Sequence, residues 1–335
     1  MKMHITRIVL VGAGLALLLF SLGSRAQPGA VDSAASLNTG TGTLHGSLML
    51  PAVATSALAG VPVVLIIAGS GATDRDGNSA SLPGPNNSLK LLAQALADGG
   101  WASLRYDKRG VAASVAAGPR EADLRFETYV QDAAAWLRWL RADGRFGRVA
   151  VIGHSEGSLI GMLAARDAGA DGLVSLAGPA PGAATVLRSQ LAGKLPPPLA
   201  ARNEAVLAAL ERGETVVDTP PELATLYRPS VQPYLVSWFR HEPSQVLAGL
   251  TLPVLVVQGS TDIQVGVVDA QALQAARAGV QMTVITGMNH VLKTVPADLP
   301  SQLASYSNPA LPLSDALAPR LLQFLALLSP PAVRR

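Results

Sequence analysis

The chain has 335 residues, 49% of them hydrophobic and 15% charged, a length and balance that suit one large folded domain and exclude a disordered chain. The formal charge is +3, but Lys2, Arg7 and Arg25 all fall in the first 26 residues; removing those three leaves 23 basic against 23 acidic residues, so a nucleic-acid partner has no electrostatic footprint. With no cysteine, disulfides, thiolate metal sites and a cysteine nucleophile are excluded.

Residues 1–26 read as a signal peptide. Lys2, His4 and Arg7 form a basic start, residues 8–22 an apolar run, and Ser24-Arg25-Ala26 supplies small residues at the −3 and −1 positions of a cleavage site. The run is shorter than the roughly 20 residues that span a bilayer. Cleavage after Ala26 implies a periplasmic or secreted protein with no membrane association afterwards. An uncleaved anchor is the competing reading.

Residues 27–42 are small and polar and predict a flexible leader, followed by one domain over 43–335. Strands are expected at 43–50, 63–68, 101–106, 149–152, 172–177, 253–258 and 282–285. Helical patterns occupy 87–98, 126–142, 156–167, 267–278 and 320–328. Short apolar runs alternating with helices predict the α/β class, a mostly parallel sheet covered by helices on both faces. The alternation breaks at about 180–248, where Pro196-Pro197-Pro198 precedes helical stretches at 199–212 and 234–240. That segment is expected to be a helical lid inserted over the sheet.

Gly153-His154-Ser155-Glu156-Gly157 follows the apolar VAVI run and opens a helix. This strand-turn-helix context is what a nucleophile elbow requires: glycines allow a tight, strained turn that lifts the Ser155 hydroxyl clear of the sheet. A serine needs a base. Of the five histidines, His4 leaves with the signal, His45 lies in an early strand, His154 lies inside the elbow and His241 in the insertion. His290, in the loop Gly287-Met288-Asn289-His290 after a strand, remains. Asp262 follows the strand at 253–258 and is the expected acceptor for the imidazole. Its rival Asp269 falls in a helix and reads as a solvated charge. The order Ser155, Asp262, His290 is that of α/β-hydrolases. Oxyanion donors are expected from the Glu156 N–H and from Gly69-Ser70-Gly71, with Ser70 N–H first and Gly71 second.

These segments resemble α/β-hydrolase carboxylesterases related to the serine aminopeptidase (S33-like) branch. The resemblance rests on residues 69–77 (GSGATDRDG), 105–110 (RYDKRG), the elbow GHSEG, 253–262 with Gln264-Val265, and the loop 287–290, and it spans roughly residues 43–330. Two positions depart from the family pattern. Ala112 stands where R-G-V-G-x-S has its second glycine, and Ser158 stands where a second elbow glycine is common; substrate preference is therefore not carried over. The charged stretches 74–76 and 107–109 are expected to form an ion-pair network below the site.

The resemblance and the residues together imply an exported serine hydrolase cleaving small-molecule esters, without metal or cofactor. Leu226, Tyr227, Leu235, Trp238 and Phe239 either line an acyl pocket or seat the insertion on the sheet. A second reading is an aminopeptidase, with Glu204, Glu211, Glu214 and Glu222 as candidates to hold an amino terminus. A third, of another class, is a non-catalytic binding protein on a hydrolase scaffold.

Overall fold

The computed structural model describes residues 29–52 and 60–328; the signal expected over 1–26 lies outside them. Among the described residues eight strands form one sheet: β1 (Val31–Asn38), β2 (Thr43–Leu50), β3 (Val61–Ile67), β4 (Ala102–Tyr106), β5 (Phe146–His154), β6 (Gly172–Leu176), β7 (Val254–Gly259) and β8 (Gln281–Ile285). Their order is β1-β2-β4-β3-β5-β6-β7-β8. From β4 to β8 every pairing is parallel, while β2 runs antiparallel to both β1 and β4. The apolar runs VVLII, VAVI and VLVV are covered on both faces, as parallel strands between helical layers must be.

The helices are α1 (Ser88–Asp98), α2 (Phe126–Ala142), α3 (Glu156–Ala168), α4 (Ala183–Leu191), α5 (Pro197–Glu211), α6 (Ala224–Tyr227), α7 (Gln232–Trp238), α8 (Pro243–Ala248), α9 (Val267–Ala275), α10 (Leu299–Ser305) and α11 (Leu317–Ala326). One face of the sheet buries Leu92 and Leu96 of α1 and Leu321 and Phe324 of α11. The other buries Trp136 and Leu137 of α2, Ile160 and Leu163 of α3, and Leu207, Tyr227 and Leu235 of the inserted helices. The insertion expected at 180–248 is therefore α4–α8, between β6 and β7. No helix among the described residues is long and apolar enough to cross a membrane.

The flexible leader is corrected. Residues 31–38 form β1, paired with β2 from Val31 opposite Leu50 to Asn38 opposite Thr43. The Asp32 carboxylate meets buried Arg105 at 2.9 Å, and the Ser33 hydroxyl donates to the Leu48 carbonyl. Backbone pairing and these polar contacts, rather than side-chain burial, hold this edge strand.

The strand order places the site. Successive connections run outward from β3 to β4 and back across to β5, so the carboxyl ends of the neighbouring strands β3 and β5 flank a crevice at the topological switch point. Ile67 pairs with Gly153, which brings the Gly69-Ser70-Gly71 loop beside the elbow. At the far side β7 and β8 are neighbours, Gly259 opposite Ile285, so the loops carrying Asp262 and His290 emerge together.

Candidate active site

Ser155 sits at φ 55° and ψ −123°, between β5 and α3, a strained conformation for a residue with a side chain. The flanking glycines are steric requirements. A Cβ on Gly157 would lie 2.4 Å from the Ile67 carbonyl oxygen, and one on Gly153 would lie 2.1 Å from that of Gly157. The elbow thus fits only because strand and helix pass backbone to backbone. Ser158, at the position of the second elbow glycine, donates its buried hydroxyl to Ser175 Oγ at 2.7 Å.

Asp262 and His290 are joined: His290 Nδ1 donates to Asp262 Oδ2 at 2.8 Å. A carboxylate only accepts, so Nδ1 carries a proton, and in the neutral form of the ring Nε2 is the acceptor. Asp262 also accepts from the N–H groups of Gln264 (2.8 Å) and Val265 (3.0 Å) and from Gln258 Nε2 (3.1 Å). Burial raises its pKa, but the charge and bond of His290 and these N–H groups outweigh it and hold the carboxyl below its ordinary value. Asp269, expected to be a solvated charge, instead accepts from the Gly266 and Ala180 N–H groups at the start of α9.

The loop carrying His290 reaches back across the sheet end to the elbow. His154 Nε2 donates to the His290 carbonyl at 2.8 Å, and the two rings lie 4.8 Å apart. Burial first, then the neighbouring His290, lowers the His154 pKa from 6.5 to about 3. Asn289 secures the same loop through Ser305 Oγ and the Lys293 N–H. Ser155 and His290 line one cavity of about 290 Å³. Among the described residues no hydrogen bond reaches Ser155 Oγ, a common state of catalytic pairs without substrate.

Lys108 was expected in a network below the site. Of that network one pair joins the two stretches, Arg75 with Asp107 at 2.8 Å; Asp76 and Arg109 pair outside them, with Arg105 at 3.0 Å and Asp132 at 2.6 Å, and Asp74 makes no ion pair among the described residues. Lys108 instead runs up against the elbow, 1% exposed, and donates to Glu156 Oε2 at 2.9 Å and to the Gly69 carbonyl at 2.5 Å. The Tyr234 hydroxyl, from the insertion, donates to the other oxygen of Glu156. Gly69 C=O and Ser70 N–H belong to one planar peptide and point in opposite directions. By holding the oxygen, Lys108 fixes where the Ser70 N–H points.

A second cavity, of about 320 Å³, meets the first at Ser70, Ser155 and Gln264. Its walls include Leu159 of α3 and Val186, Leu187, Leu226, Leu235 and Trp238 of the insertion. Of the apolar residues singled out in the insertion, Leu226, Leu235 and Trp238 line it; Tyr227 and Phe239 pack into the core instead. The acidic candidates do not line it. Glu204 and Glu211 pair with Arg188 at 2.8 and 2.6 Å, and Glu214 pairs with Arg212 at 2.7 Å. Among the described residues no cluster of three or more His, Cys, Asp or Glu is gathered as for a metal ion.

Esterase EstD of Thermotoga maritima is 30% identical over 234 residues, 69% of this chain and 54% of its own, so the chain spans about half the length of that relative. Among solved structures, Est1E from Butyrivibrio proteoclasticus with bound ferulic acid aligns at TM-score 0.56 and 18% identity, covering 87% of this chain and 96% of its own. The Pyrococcus furiosus esterase Pf2001 aligns at TM-score 0.55 and 15% identity, covering 89% and 91%. At such identities these two show the fold alone. Residues 87–294, more than half of the sequence and the stretch that holds Ser155, Asp262 and His290, match the family described as serine aminopeptidase, S33. The chain belongs to this family of α/β-hydrolases.

Proposed function

We propose that the protein is an exported serine hydrolase that cleaves carboxylic esters, with Ser155 as nucleophile, His290 as base and Asp262 as its partner. The observation that carries the reading is the His290–Asp262 hydrogen bond, which leaves Nε2 as an acceptor in the cavity that Ser155 also lines. His290 takes the Ser155 proton as Oγ bonds to the ester carbonyl carbon, then returns it to the departing alcohol as the acyl C–O bond breaks. Water repeats the cycle on the acyl-enzyme, releasing the acid and restoring the Ser155 hydroxyl. The Ser70 and Glu156 N–H groups hold the oxyanion; removal of one such donor typically costs about 10²- to 10³-fold in rate. The EstD relative, named as an esterase, supports an ester substrate. The ion-paired state of Glu204, Glu211 and Glu214 disfavours amino-terminal recognition. Export rests on the basic, apolar and small-residue pattern of residues 1–26.

The test is turnover of p-nitrophenyl esters of graded length and of aminoacyl-p-nitroanilides by the protein and by Ser155→Ala. Ester turnover that falls by about 10⁶-fold in the variant supports the proposal. Turnover of anilides alone would make the protein a peptidase, and inertness toward both a binding protein.

A further inference from the structure

The two cavities that meet at Ser155 differ in chemistry, and the mechanism assigns each to one half of the substrate. His290 must return its proton to the alcohol oxygen, so the leaving alcohol lies beside the imidazole. His290 and Val291 line the 290 Å³ cavity and are not among the residues lining the apolar one. The alcohol half therefore enters the 290 Å³ cavity, and the acyl half lies among Leu159, Leu187, Leu226 and Trp238.

The alcohol-side cavity is walled by Thr73, Ser79, Ser81 and Asn86 on one side and by Gln264 and Tyr306 on the other. These groups stand on a built support, which accounts for the motif Asp74-Arg75-Asp76-Gly77-Asn78. Asp74 Oδ1 accepts from the Asp76 and Asn78 N–H groups at 2.9 and 2.8 Å. Asn78 Oδ1 in turn accepts from the Asn86 and Asn87 N–H groups at 2.9 and 2.8 Å. Thr73 and Ser79 form an antiparallel bridge. Arg75 anchors the loop by donating its backbone N–H and guanidinium to buried Asp107. The facing wall is fixed by Gln264 Nε2, which donates to the Tyr306 hydroxyl at 2.8 Å. Within this frame Ser81 Oγ has no hydrogen-bond partner among the described residues, and the Tyr306 hydroxyl accepts one bond while its own proton is uncommitted. The Tyr306 hydroxyl, held in advance by Gln264, loses little freedom on binding, while exposed Ser81 offers an unpartnered hydroxyl.

We propose that this cavity is a subsite for a polyhydroxylated alcohol, a glycerol or a monosaccharide unit, so that the enzyme cleaves apolar acyl esters of polyols; this rests on the ester-hydrolase reading above. A volume of about 290 Å³ falls at the small end of ligand pockets, roughly 300–1,000 Å³, which suits one sugar ring or less.

The experiment compares kcat/KM for three butyrates, those of n-butanol, glycerol and the 6-hydroxyl of glucose, with the protein and with the double variant Ser81→Val, Tyr306→Phe. The expected result is a preference of at least about tenfold for one or both polyol esters over butyl butyrate. That ratio should fall by about tenfold in the variant, as loss of two hydrogen bonds implies. The glycerol and glucose arms tell which polyol the cavity fits. A butyl ester turned over as well as both polyol esters, or a ratio unmoved by the variant, overturns the subsite while leaving the esterase intact. No turnover of any butyrate, with no labelling of Ser155 by a fluorophosphonate, overturns both. Should the double variant fail to fold, Tyr306→Phe alone, which removes one oxygen, gives the same comparison with a several-fold shift.

Discussion

Lys108 Nζ and the Gly69 carbonyl oxygen stand 2.5 Å apart behind the peptide whose opposite edge is the Ser70 N–H. The same ammonium is bonded to Glu156, whose own N–H is the second proposed oxyanion donor. One buried side chain thus contacts both residues behind the proposed oxyanion donors, the Gly69 carbonyl and the Glu156 carboxylate. Lys108→Met is expected to lower kcat by about 10- to 100-fold with KM little changed, since the donors matter most as charge develops on the carbonyl oxygen. It also leaves the Glu156 carboxylate without its ion-pair partner, a loss of about 3–5 kcal/mol in stability. Adding Glu156→Gln separates the two effects: thermal stability should recover and kcat should not. Steady-state kinetics and denaturant unfolding of the single and double variants check this.

Asp262→Asn keeps the shape but turns an acceptor into a donor toward His290 Nδ1, moving the imidazole proton to Nε2. A fall in kcat of about 10⁴-fold is expected. Because the Asp262 pKa is depressed in the folded protein, its stabilising contribution is fully present above the unfolded value of about 3.9 and is lost as pH falls through the lower folded value. The stability difference between the two proteins should therefore narrow below about pH 4, as measured by urea unfolding across that range.

His154 acts in the same direction over a higher pH range, and for a different reason. Burial lowers its pKa from 6.5 to about 3, so between those values the unfolded chain takes up a proton that the folded one refuses. Stability should drop as pH falls through this window, by up to about 1.4 kcal/mol per unit. His154→Gln retains a donor for the His290 carbonyl and should flatten that dependence, seen by comparing urea midpoints at pH 7 and pH 5.

Ala112 adopts φ 43°, left-handed backbone at the position where the family pattern has glycine. That conformation costs a residue with a side chain about 1–2 kcal/mol, and glycine returns about 0.4–1 kcal/mol of it through its unfolded-state entropy. Ala112 is exposed, so its methyl adds little burial. Ala112→Gly is expected to stabilise the protein by up to about 1 kcal/mol, read as a higher denaturant midpoint at unchanged slope.

The parts of this molecule that were legible in the sequence are those with a local signature. Ser155 and Asp262 each follow an apolar run that reads as a buried strand, His290 follows a shorter one that becomes the mostly half-buried edge strand β8, and the alternation of helices and strands put all three at one end of the sheet. The insertion was legible because that alternation stops. β1 was not: VDSAASLN has few apolar side chains to alternate, and it becomes a strand only by pairing with β2. The meeting of Lys108 with Gly69 and Glu156 was hidden for a different reason. Three segments far apart in sequence contribute, and a side chain's direction out of a charged run leaves no periodic trace. His154 was legible only as a residue inside the elbow; its bond to the His290 carbonyl depends on the path of a loop 136 positions away.

The central claim is that the Ser155 hydroxyl is activated by His290. The most direct measurement is to treat the protein with a fluorophosphonate and locate the adduct by peptide mass spectrometry, beside Ser155→Ala and His290→Ala. A single adduct on Ser155, absent from the first variant and strongly slowed in the second, is the predicted result. Labelling at another residue, or ester turnover that persists in Ser155→Ala, would contradict it.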